Sequence, residues 1–291
     1  MKSVAAVFAL ALVVGPGLID CGRIIVAQPF GPRSSQNVFI PLVAELAKRG
    51  HHVTLITNTA SSQLKALANV REIILDELTV DKMELFKQMN LFETAINGTA
   101  PPLSQIWNGL MISRTSAEVM YANPLIKKIL REEQFDLVLN NQATAAVGYP
   151  LAWHFKAPFI LISPGPLLPG IANVMGDSDH TEHVPFPLTG YTDTMTFMQR
   201  LINTLVVALM EFCISTVPSW SVRDVYRREF PELPSLAEIE KNVSLAFVNT
   251  HHLFFYPRVL PPQVVEVGGM HCRPAQPLPA VRISIYNRLS S

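Results

Sequence analysis

The chain has 291 residues, of which 49% are hydrophobic and 16% charged, and its 23 basic residues balance its 23 acidic ones. This length and composition suit one large globular domain or two small ones with a substantial core. The balanced charge argues against a nucleic-acid-binding protein, which needs a basic face. With three cysteines, a disulfide framework is not indicated.

The first 22 residues are typical of a secretory signal peptide. One lysine precedes an apolar run over 4–14, and a Pro/Gly break follows, with cleavage expected near Cys21 or Gly22. The alternative, an N-terminal membrane anchor, needs about 20 apolar residues, which is more than this run contains. We therefore expect the mature chain in the endoplasmic reticulum lumen or outside the cell. There, two sequons become candidates for N-glycosylation: Asn97-Gly98-Thr99 and Asn242-Val243-Ser244.

Strands and helices alternate along the next part of the chain. The apolar run "RIIVAQ" (23–28) predicts a buried parallel strand. Apolar residues recur at helical spacing over 37–49, with Pro41 expected near the first turn. Strands are predicted again at 52–57 and 71–76. Short connections between such units indicate a parallel sheet.

The same alternation continues to residue 268. Further helices are predicted at 82–94, 103–121, 124–133, 143–155 and 195–216, and further strands at 135–140, 158–163, 244–250 and 263–268. A loop rich in proline and glycine separates two of these elements, over 164–192. Five or six parallel strands with helices on both faces predict a single Rossmann-like, doubly wound α/β domain.

One later segment, 201–217, approaches the composition of a membrane-spanning helix. Its apolar run is interrupted by Asn203, Thr204 and Glu211. We therefore predict no transmembrane span, and expect this helix to pack in the core or to contact a membrane surface.

Four blocks of sequence resemble one known family in content and in order. They read "VFIPLVAELAKRGHHVTLIT", "FDLVLNNQATAAVGYPLAWHFKAPFILIS", "VMGDSDHTEHVPFPLTGYTDTMTFMQRL" and "LAFVNTHHLFFYPRVLPPQVVEVGGMHC", the last followed by "PLP". The chain resembles the UDP-glycosyltransferases, in particular their insect-like membrane members. The likeness extends over 23–279.

The resemblance implies the GT-B architecture, in which two Rossmann-like domains face each other. In that family the N-terminal domain binds a small lipophilic acceptor, the C-terminal domain binds the UDP-sugar, and a transmembrane helix follows. Residues 23–279 would be the acceptor domain, and 280–291 do not resemble the family. We therefore expect the donor domain and the membrane helix to be absent, and no cofactor to be bound by this chain. UDP-sugar is a co-substrate in the family.

The resemblance also places the family's two catalytic positions. A histidine base would stand 16 residues before His51, at Ser35, and an acid that orients it would stand at Asn141. A serine hydroxyl cannot accept a proton at neutral pH, and an asparagine cannot offset the charge of an imidazolium. Residues 30–38 contain no histidine in any register. We therefore expect the pair that activates the acceptor to be replaced at both positions.

Other side chains near the predicted strand ends are candidates for binding. Phe30, Gly31, Gln36 and Gln142 are expected to contact the acceptor. His251 and His252 follow a strand and are alternatives for the missing base, although we interpret them as ordinary loop residues. The two histidines of "HTEH" (180–183) are expected to be solvated, so no metal site is predicted.

Three interpretations follow from these observations. The first is a UDP-glycosyltransferase chain, by resemblance transferring a hexose to a lipophilic hydroxyl with inversion, but incomplete on its own. The second is a non-catalytic luminal module that binds lipophiles or forms a dimer with full-length relatives. The third is a gene-model fragment without a stable product, because its exposed apolar face would favour aggregation.

Overall fold

Seven parallel strands form one sheet in the computed structural model, which describes residues 21–79, 82, 103–176, 180–186, 189–251, 253 and 255–272. The strands are β1 (Arg23–Gln28), β2 (His52–Thr57), β3 (Val70–Ile74), β4 (Leu137–Asn141), β5 (Phe159–Ser163), β6 (Val243–Val248) and β7 (Val264–Glu266). Their order is β3-β2-β1-β4-β5-β6-β7. The predicted α/β sheet is confirmed. Each of the seven predicted strand segments contributes one strand, including the short β7 that pairs with β6, so the sheet exceeds the five or six strands expected.

Several predictions fall outside the described residues. These are the signal-peptide run, most of the predicted helix 82–94, Asn97, His252 and the tail 280–291. They stay predictions.

Helices connect the strands on both faces of the sheet. They are α1 (Arg33–Lys48), α2 (Leu103–Ala122), α3 (Pro124–Glu132), α4 (Ala145–Phe155), α5 (Ile171–Val174), α6 (Phe197–Ser221), α7 (Arg223–Glu229) and α8 (Leu236–Glu240). Three of them were not predicted, α5, α7 and α8, and all three are short. Helix α5 lies within the segment 164–192 that was predicted to be a loop.

Helix α1 begins earlier than the sequence indicated. It starts at Arg33 rather than at residue 37, directly after Pro32, whose ring fixes φ at −66°. Pro41 consequently lies in the helix interior and not near its first turn. Ser35 and Gln36 therefore belong to the first turn of a helix, which orients their side chains more firmly than a loop would.

The core consists of two apolar layers, one on each face of the sheet. In β1, Ile24 and Val26 pack in the layer that contains Phe39 of α1. Ile25 and Ala27 pack in the larger layer on the other face. Alternate side chains of a strand point to opposite faces, so a continuous apolar run such as "RIIVAQ" supplies both layers.

Helix α4 contains a proline, which lacks a backbone N–H, and a tyrosine hydroxyl makes the hydrogen bond that this N–H would have made. Pro150 cannot donate to the carbonyl of Ala146 four residues earlier. The Tyr226 hydroxyl donates to that carbonyl instead, at 2.7 Å. The Tyr121 hydroxyl donates to the next carbonyl, that of Val147, also at 2.7 Å. Burial raises the pKa of both tyrosines well above 10.0, so both hydroxyls remain donors.

Helix α6 has an unusual distribution of apolar side chains. Asn203 faces inward and is fully buried, whereas the opposite face carries the helix's large apolar groups. The exposed side chains are Phe197, Met198, Leu201, Ile202, Leu205, Leu209, Phe212 and Trp220. The helix has 25 residues and ends at Ser221, five beyond the predicted end at 216.

By length and composition α6 is able to cross a membrane. Its apolar window has a mean hydropathy of 1.7, and only 11% of that window is buried. The polar residues that were expected to interrupt the segment do not end the helix, which continues through Asn203, Thr204 and Glu211.

Candidate functional site

The chain reverses its direction across the sheet between β1 and β4. These two strands are neighbours, yet the connections that follow them run to opposite sides of the sheet. In open α/β sheets, ligands bind in the crevice beyond the carboxyl ends of the strands at such a point. The loop after β1 (29–32) and the turn after β4 (142–144) border this crevice.

Ser35 lies beside the loop that follows β1. It is 9% exposed and stands on the first turn of α1. A Cβ atom added to Gly31 would lie 3.3 Å from the Ser35 hydroxyl and 3.2 Å from the amide nitrogen of Gln28. Glycine therefore lets this loop pass close to both side chains.

Asn141 ends β4 and is fully buried. Its Oδ1 accepts from the backbone N–H of Ala143 at 3.0 Å, which caps the following turn. Its Nδ2 lies 3.5 Å from the carbonyl of Phe30, a long contact to the loop after β1. Ser35 and Asn141 thus border the same short loop, 30–31, and both are uncharged.

Gln36 faces the neighbouring strand β2. Its Nε2 donates to Thr57 Oγ1 at 3.1 Å and to Asn58 Oδ1 at 2.6 Å. Asn58 in turn donates to the carbonyl of Gly31 at 3.0 Å. Gln36 therefore holds the loop after β1 in place, and its amide nitrogen is already occupied by protein partners.

Gln142 stands where the polar crevice meets an apolar cleft. Its Nε2 donates to the carbonyl of Pro166 at 3.3 Å, and its Oε1 has no partner among the described residues. Pro166 also borders an open cleft, whose volume is about 540 Å³ when the open solvent at its mouth is included. The cleft is lined by Pro166, Leu167, Val248, Thr250, Phe255, Tyr256, Pro257, Arg258, Leu260 and Glu266.

Residues that were not predicted as site residues share the crevice. Within the described part of the chain, five buried side-chain atoms have no hydrogen-bond partner: Gln28 Nε2, Ser116 Oγ, Asn140 Oδ1, Gln142 Oε1 and Thr144 Oγ1. Four of the five belong to the ends of β1 and β4 or to the turn after β4. For Asn140, Gln142 and Thr144 the sequence signal was the polar run "NNQAT" (140–144) at the end of a buried strand.

Asn140 is the most enclosed of these residues. Its Nδ2 donates to the carbonyl of Ala145 at 2.9 Å, at the start of α4. A Cβ atom at Gly148 would lie only 2.3 Å from Asn140 Oδ1. Gly148 therefore leaves space for the Asn140 amide below the crevice. The oxygen of that amide, Oδ1, has no hydrogen-bond partner among the described residues.

Comparison with known proteins identifies the family. The model of the UDP-glucoronosyl and UDP-glucosyl transferase family matches residues 34–288. The chain belongs to this family. It is 30% identical over 264 residues to UDP-glucosyltransferase 2 of Dactylopius coccus, covering 88% of this chain and 49% of that protein. It is 27% identical over 278 residues to UDP-glucuronosyltransferase 2B7 of Rattus norvegicus, covering 89% of this chain and 51% of that protein.

The chain spans about half the length of the curated relatives it matches. Among solved structures, it is similar to the calicheamicin glycosyltransferase CalG4 at a TM-score of 0.47 and 15% identity. That likeness covers 86% of this chain and 52% of the other.

In this UDP-glycosyltransferase chain, His251 lies after β6 and is half-buried. Its Nδ1 accepts from the backbone N–H of Leu253 at 3.2 Å. The nearby Thr250 hydroxyl donates to Glu266 at 2.9 Å and lines the cleft. A ring whose Nδ1 is occupied by its own loop fits the interpretation of His251 as a loop histidine.

The described sequon of this family member is accessible. Asn242 is exposed in the turn between α8 and β6, and its Nδ2 donates to the carbonyl of Glu238 at 3.1 Å. Its glycosylation remains a prediction.

Proposed function

We propose that this chain provides the acceptor-binding half of a UDP-glycosyltransferase and holds a small lipophilic alcohol or phenol without activating it. One observation carries the proposal: uncharged Ser35 and Asn141 border the loop 30–31, at the positions that the family resemblance assigns to base and orienter. The UDP-sugar is the co-substrate that the family uses, and we assign it no residue of this chain.

Transfer with inversion requires removal of the proton of the attacking hydroxyl. General acid–base catalysis of this kind contributes about 10²–10⁴-fold to a rate. The Ser35 hydroxyl is neutral at pH 7, and the Asn141 amide has its oxygen occupied by Ala143. Neither side chain accepts a proton, so the bound hydroxyl would keep its own.

The cleft next to Gln142 suits a lipophilic acceptor. Small-molecule sites are mostly apolar, with a few polar groups that fix the ligand's orientation. Leu167, Phe255 and Leu260 supply apolar surface, and Thr250 and Gln142 supply polar atoms beside it. Gln142 Oε1 is buried and has no partner among the described residues, and we propose that it accepts a hydrogen bond from the hydroxyl of the bound ligand.

Two measurements on the purified chain test this proposal. Titration with a lipophilic phenol should show saturable binding that Gln142→Leu weakens by about tenfold, the equivalent of one hydrogen bond. Gln63→Leu, the same change at an exposed glutamine, should leave binding unchanged. Incubation with UDP-glucose and the phenol should yield no glycoside, and reproducible product would overturn the inactive assignment.

The alternative function is a regulatory module that pairs with full-length relatives. It is favoured by the same substitutions at Ser35 and Asn141, since a regulatory chain needs no base. Sedimentation of the chain with a full-length relative distinguishes the two functions, because a stable heterodimer that changes the relative's turnover supports regulation.

We further propose that the exposed face of α6 contacts the surface of a lipid bilayer on the luminal side. The face is about 37 Å long at 1.5 Å per residue, and carries no charge among its large side chains. Trp220 stands near its carboxyl-terminal end, and the amphipathic indole ring favours the headgroup region. An uncharged, apolar, outward face matches a lipid surface better than a charged partner.

Flotation with phosphatidylcholine vesicles tests the contact. The chain should float with the vesicles, and the double change Leu205→Gln with Phe212→Gln should lower the bound fraction at least tenfold. Leu125→Gln, at an exposed leucine of α3, serves as the matched control and should have no effect. A stable dimer in solution that excludes vesicles would contradict the proposal.

A further inference from the structure

Three side chains of the types that ligate metals lie close together in the segment between α5 and α6, far from Ser35 and Asn141 in the sequence. His180, Glu182 and His183 each place one ligand atom within 4.8 Å of the others. The Nδ1 atoms of His180 and His183 lie 3.3 Å and 3.1 Å from the same oxygen, Glu182 Oε1. Around a tetrahedral zinc ion with bonds near 2.0–2.1 Å, neighbouring ligand atoms are separated by about 3.3 Å.

The segment that carries these residues is held firmly against α6. The buried Asn203 donates through Nδ2 to the carbonyls of Thr181 and Val184, at 2.9 and 3.0 Å. Its Oδ1 accepts from the backbone N–H of Phe186 at 2.7 Å. The Thr204 hydroxyl adds a bond to Thr181 at 2.9 Å. The backbone that carries the ligands is therefore fixed by a satisfied, buried amide. The side chains of Glu182 and His183 remain 63% and 45% exposed, in keeping with the solvated histidines that the sequence indicated.

The backbone at His180 adopts a conformation that side chains rarely take. Its φ is +47°, and Lys156 is the other non-glycine residue with positive φ in the described part of the chain. Lys156 ends a helix, where this conformation is common. At His180 the positive φ begins a tight turn, which is closed by a hydrogen bond of 2.8 Å from the N–H of Val184 to the His180 carbonyl. Strain of this kind concentrates at binding and switch sites.

A hydrogen bond on the far side of His183 orients its ring. Its Nε2 lies 3.2 Å from the carbonyl of Pro257, so this nitrogen carries the proton that is donated. In neutral His183 the lone pair then resides on Nδ1, which faces a carboxylate oxygen. Two lone pairs at 3.1 Å repel each other unless a cation lies between them. Ligating histidines typically donate their second N–H to a carbonyl in this manner.

Two imidazoles and one carboxylate, with space for water, form a donor set that zinc accepts readily.

We propose that His180, Glu182 and His183 bind a zinc ion that fastens the turn at 180–184 to the segment containing Pro257. Pro257 lines the apolar cleft, so the ion would stabilise one wall of that cleft. This inference stands on the geometry of the three ligands and does not require the proposed function.

Zinc titration of the full, untagged chain tests the site directly. After treatment with a chelator, the protein competes with a chromophoric chelator for zinc, and we expect one equivalent to bind per chain. Loss of an outer-shell partner costs about 10–100-fold in metal affinity, so Glu182→Gln and His183→Gln should each cost at least that much. His52→Gln, at an exposed histidine of β2, should bind zinc as the wild type does.

Two further readouts distinguish a built site from loose association. Cobalt in place of zinc should give the visible absorption of a tetrahedral ion in the wild type and not in His183→Gln. Zinc should also raise the thermal midpoint of the wild type alone, while metal-free variants unfold at the wild-type temperature because the ligands lie near the surface. No saturable binding, binding that survives both substitutions, or an equal loss in His52→Gln would overturn the proposal.

Discussion

The two ends of the parallel strands differ in how their polar groups are hydrogen-bonded. We call the side at which the strands begin the amino edge of the sheet, and the side at which they end the carboxyl edge. At the amino edge, Arg71 forms a bidentate salt bridge with Glu133, with N···O distances of 2.8 and 3.0 Å. Arg71 also donates to the Thr54 hydroxyl at 2.9 Å. Arg23 joins the same carboxylate, and its backbone N–H donates to Asp136. Every one of these charged groups has a partner.

At the carboxyl ends of β1 and β4, the polar side chains are neutral and several lack partners. Gln28, Asn140, Gln142 and Thr144 each bury an atom without a hydrogen bond in the described protein. An unsatisfied buried polar atom costs stability, so its retention at one edge indicates a purpose other than stability. In this comparison the amino edge stabilises the fold, whereas the carboxyl edge is where we propose that a ligand binds.

The largest effect is expected where the carboxyl edge is most tightly packed. Gly148→Ala would place a Cβ atom 2.3 Å from the buried Asn140 Oδ1. Because the amide is enclosed, the clash should lower the free energy of unfolding by about 2–3 kcal/mol. Chemical denaturation measures this loss.

Gly165→Ala is the matched control for that change. No atom lies within 4 Å of the corresponding Cβ position. We expect its effect to stay within about 1 kcal/mol, with stabilisation favoured by the lower entropy of the unfolded chain. Equal losses in the two variants would show that Asn140 is not confined as described.

The same chemical change should have opposite consequences at the two edges. Thr54→Val removes the acceptor of the Arg71 hydrogen bond and should cost about 1 kcal/mol. Thr144→Val replaces a buried hydroxyl without a partner, so it should be neutral or stabilise by up to about 1 kcal/mol. Denaturation of both variants gives the comparison, and a loss at Thr144 as large as that at Thr54 would remove the distinction between the edges.

The smallest effect concerns the charge at the amino edge and depends on pH. Hydrogen bonds from Arg71 lower the pKa of Glu133 below its ordinary 4.5 in the folded protein. Its contribution is therefore present above that ordinary pKa and is lost as the pH falls through the lowered value. Glu133→Gln should cost about 0.5–1 kcal/mol at neutral pH, because the arginines are half-exposed, and should cost nothing in acid.

Glu45→Gln provides the control, since Glu45 pairs with Arg49 on the exposed surface of α1. It should change stability by less than about 0.5 kcal/mol at any pH. A loss for Glu133→Gln that persists unchanged in acid would contradict the assignment of its effect to the ion pair.

The sheet was predictable because buried parallel strands appear as continuous apolar runs. "RIIVAQ" and "HVTLIT" became β1 and β2 at the predicted residues. The start of α1 was not predictable from apolar spacing, because its first residues, 33–37, are polar and basic. Helix α8 carries a capping box, with Ser235 at the N-cap and Glu238 three residues later, which was a usable signal.

The site was only partly predictable. Ser35 and Asn141 followed from family spacing, and the structure shows both beside the loop 30–31. That Gln36 faces β2 depends on contacts with Thr57 and Asn58, which lie more than twenty residues away. Long-range contacts of this kind leave no local pattern in a sequence, so the orientation of a side chain within a helix's first turn had to come from the structure.

The central claim is that no proton acceptor stands at Ser35, the position that the family resemblance assigns to the base, and the ionisation of a bound chromophoric phenol tests it most directly. Para-nitrophenol bound to the chain reports its own protonation by absorption. Two charged side chains line the cleft, so Arg258→Gln isolates the effect of the cation and Glu266→Gln that of the carboxylate. We predict that the bound phenol keeps its proton, with a pKa above its value in water, because desolvation and the nearby Glu266 carboxylate disfavour the phenolate. A bound pKa below the value in water that persists in Arg258→Gln would contradict the account.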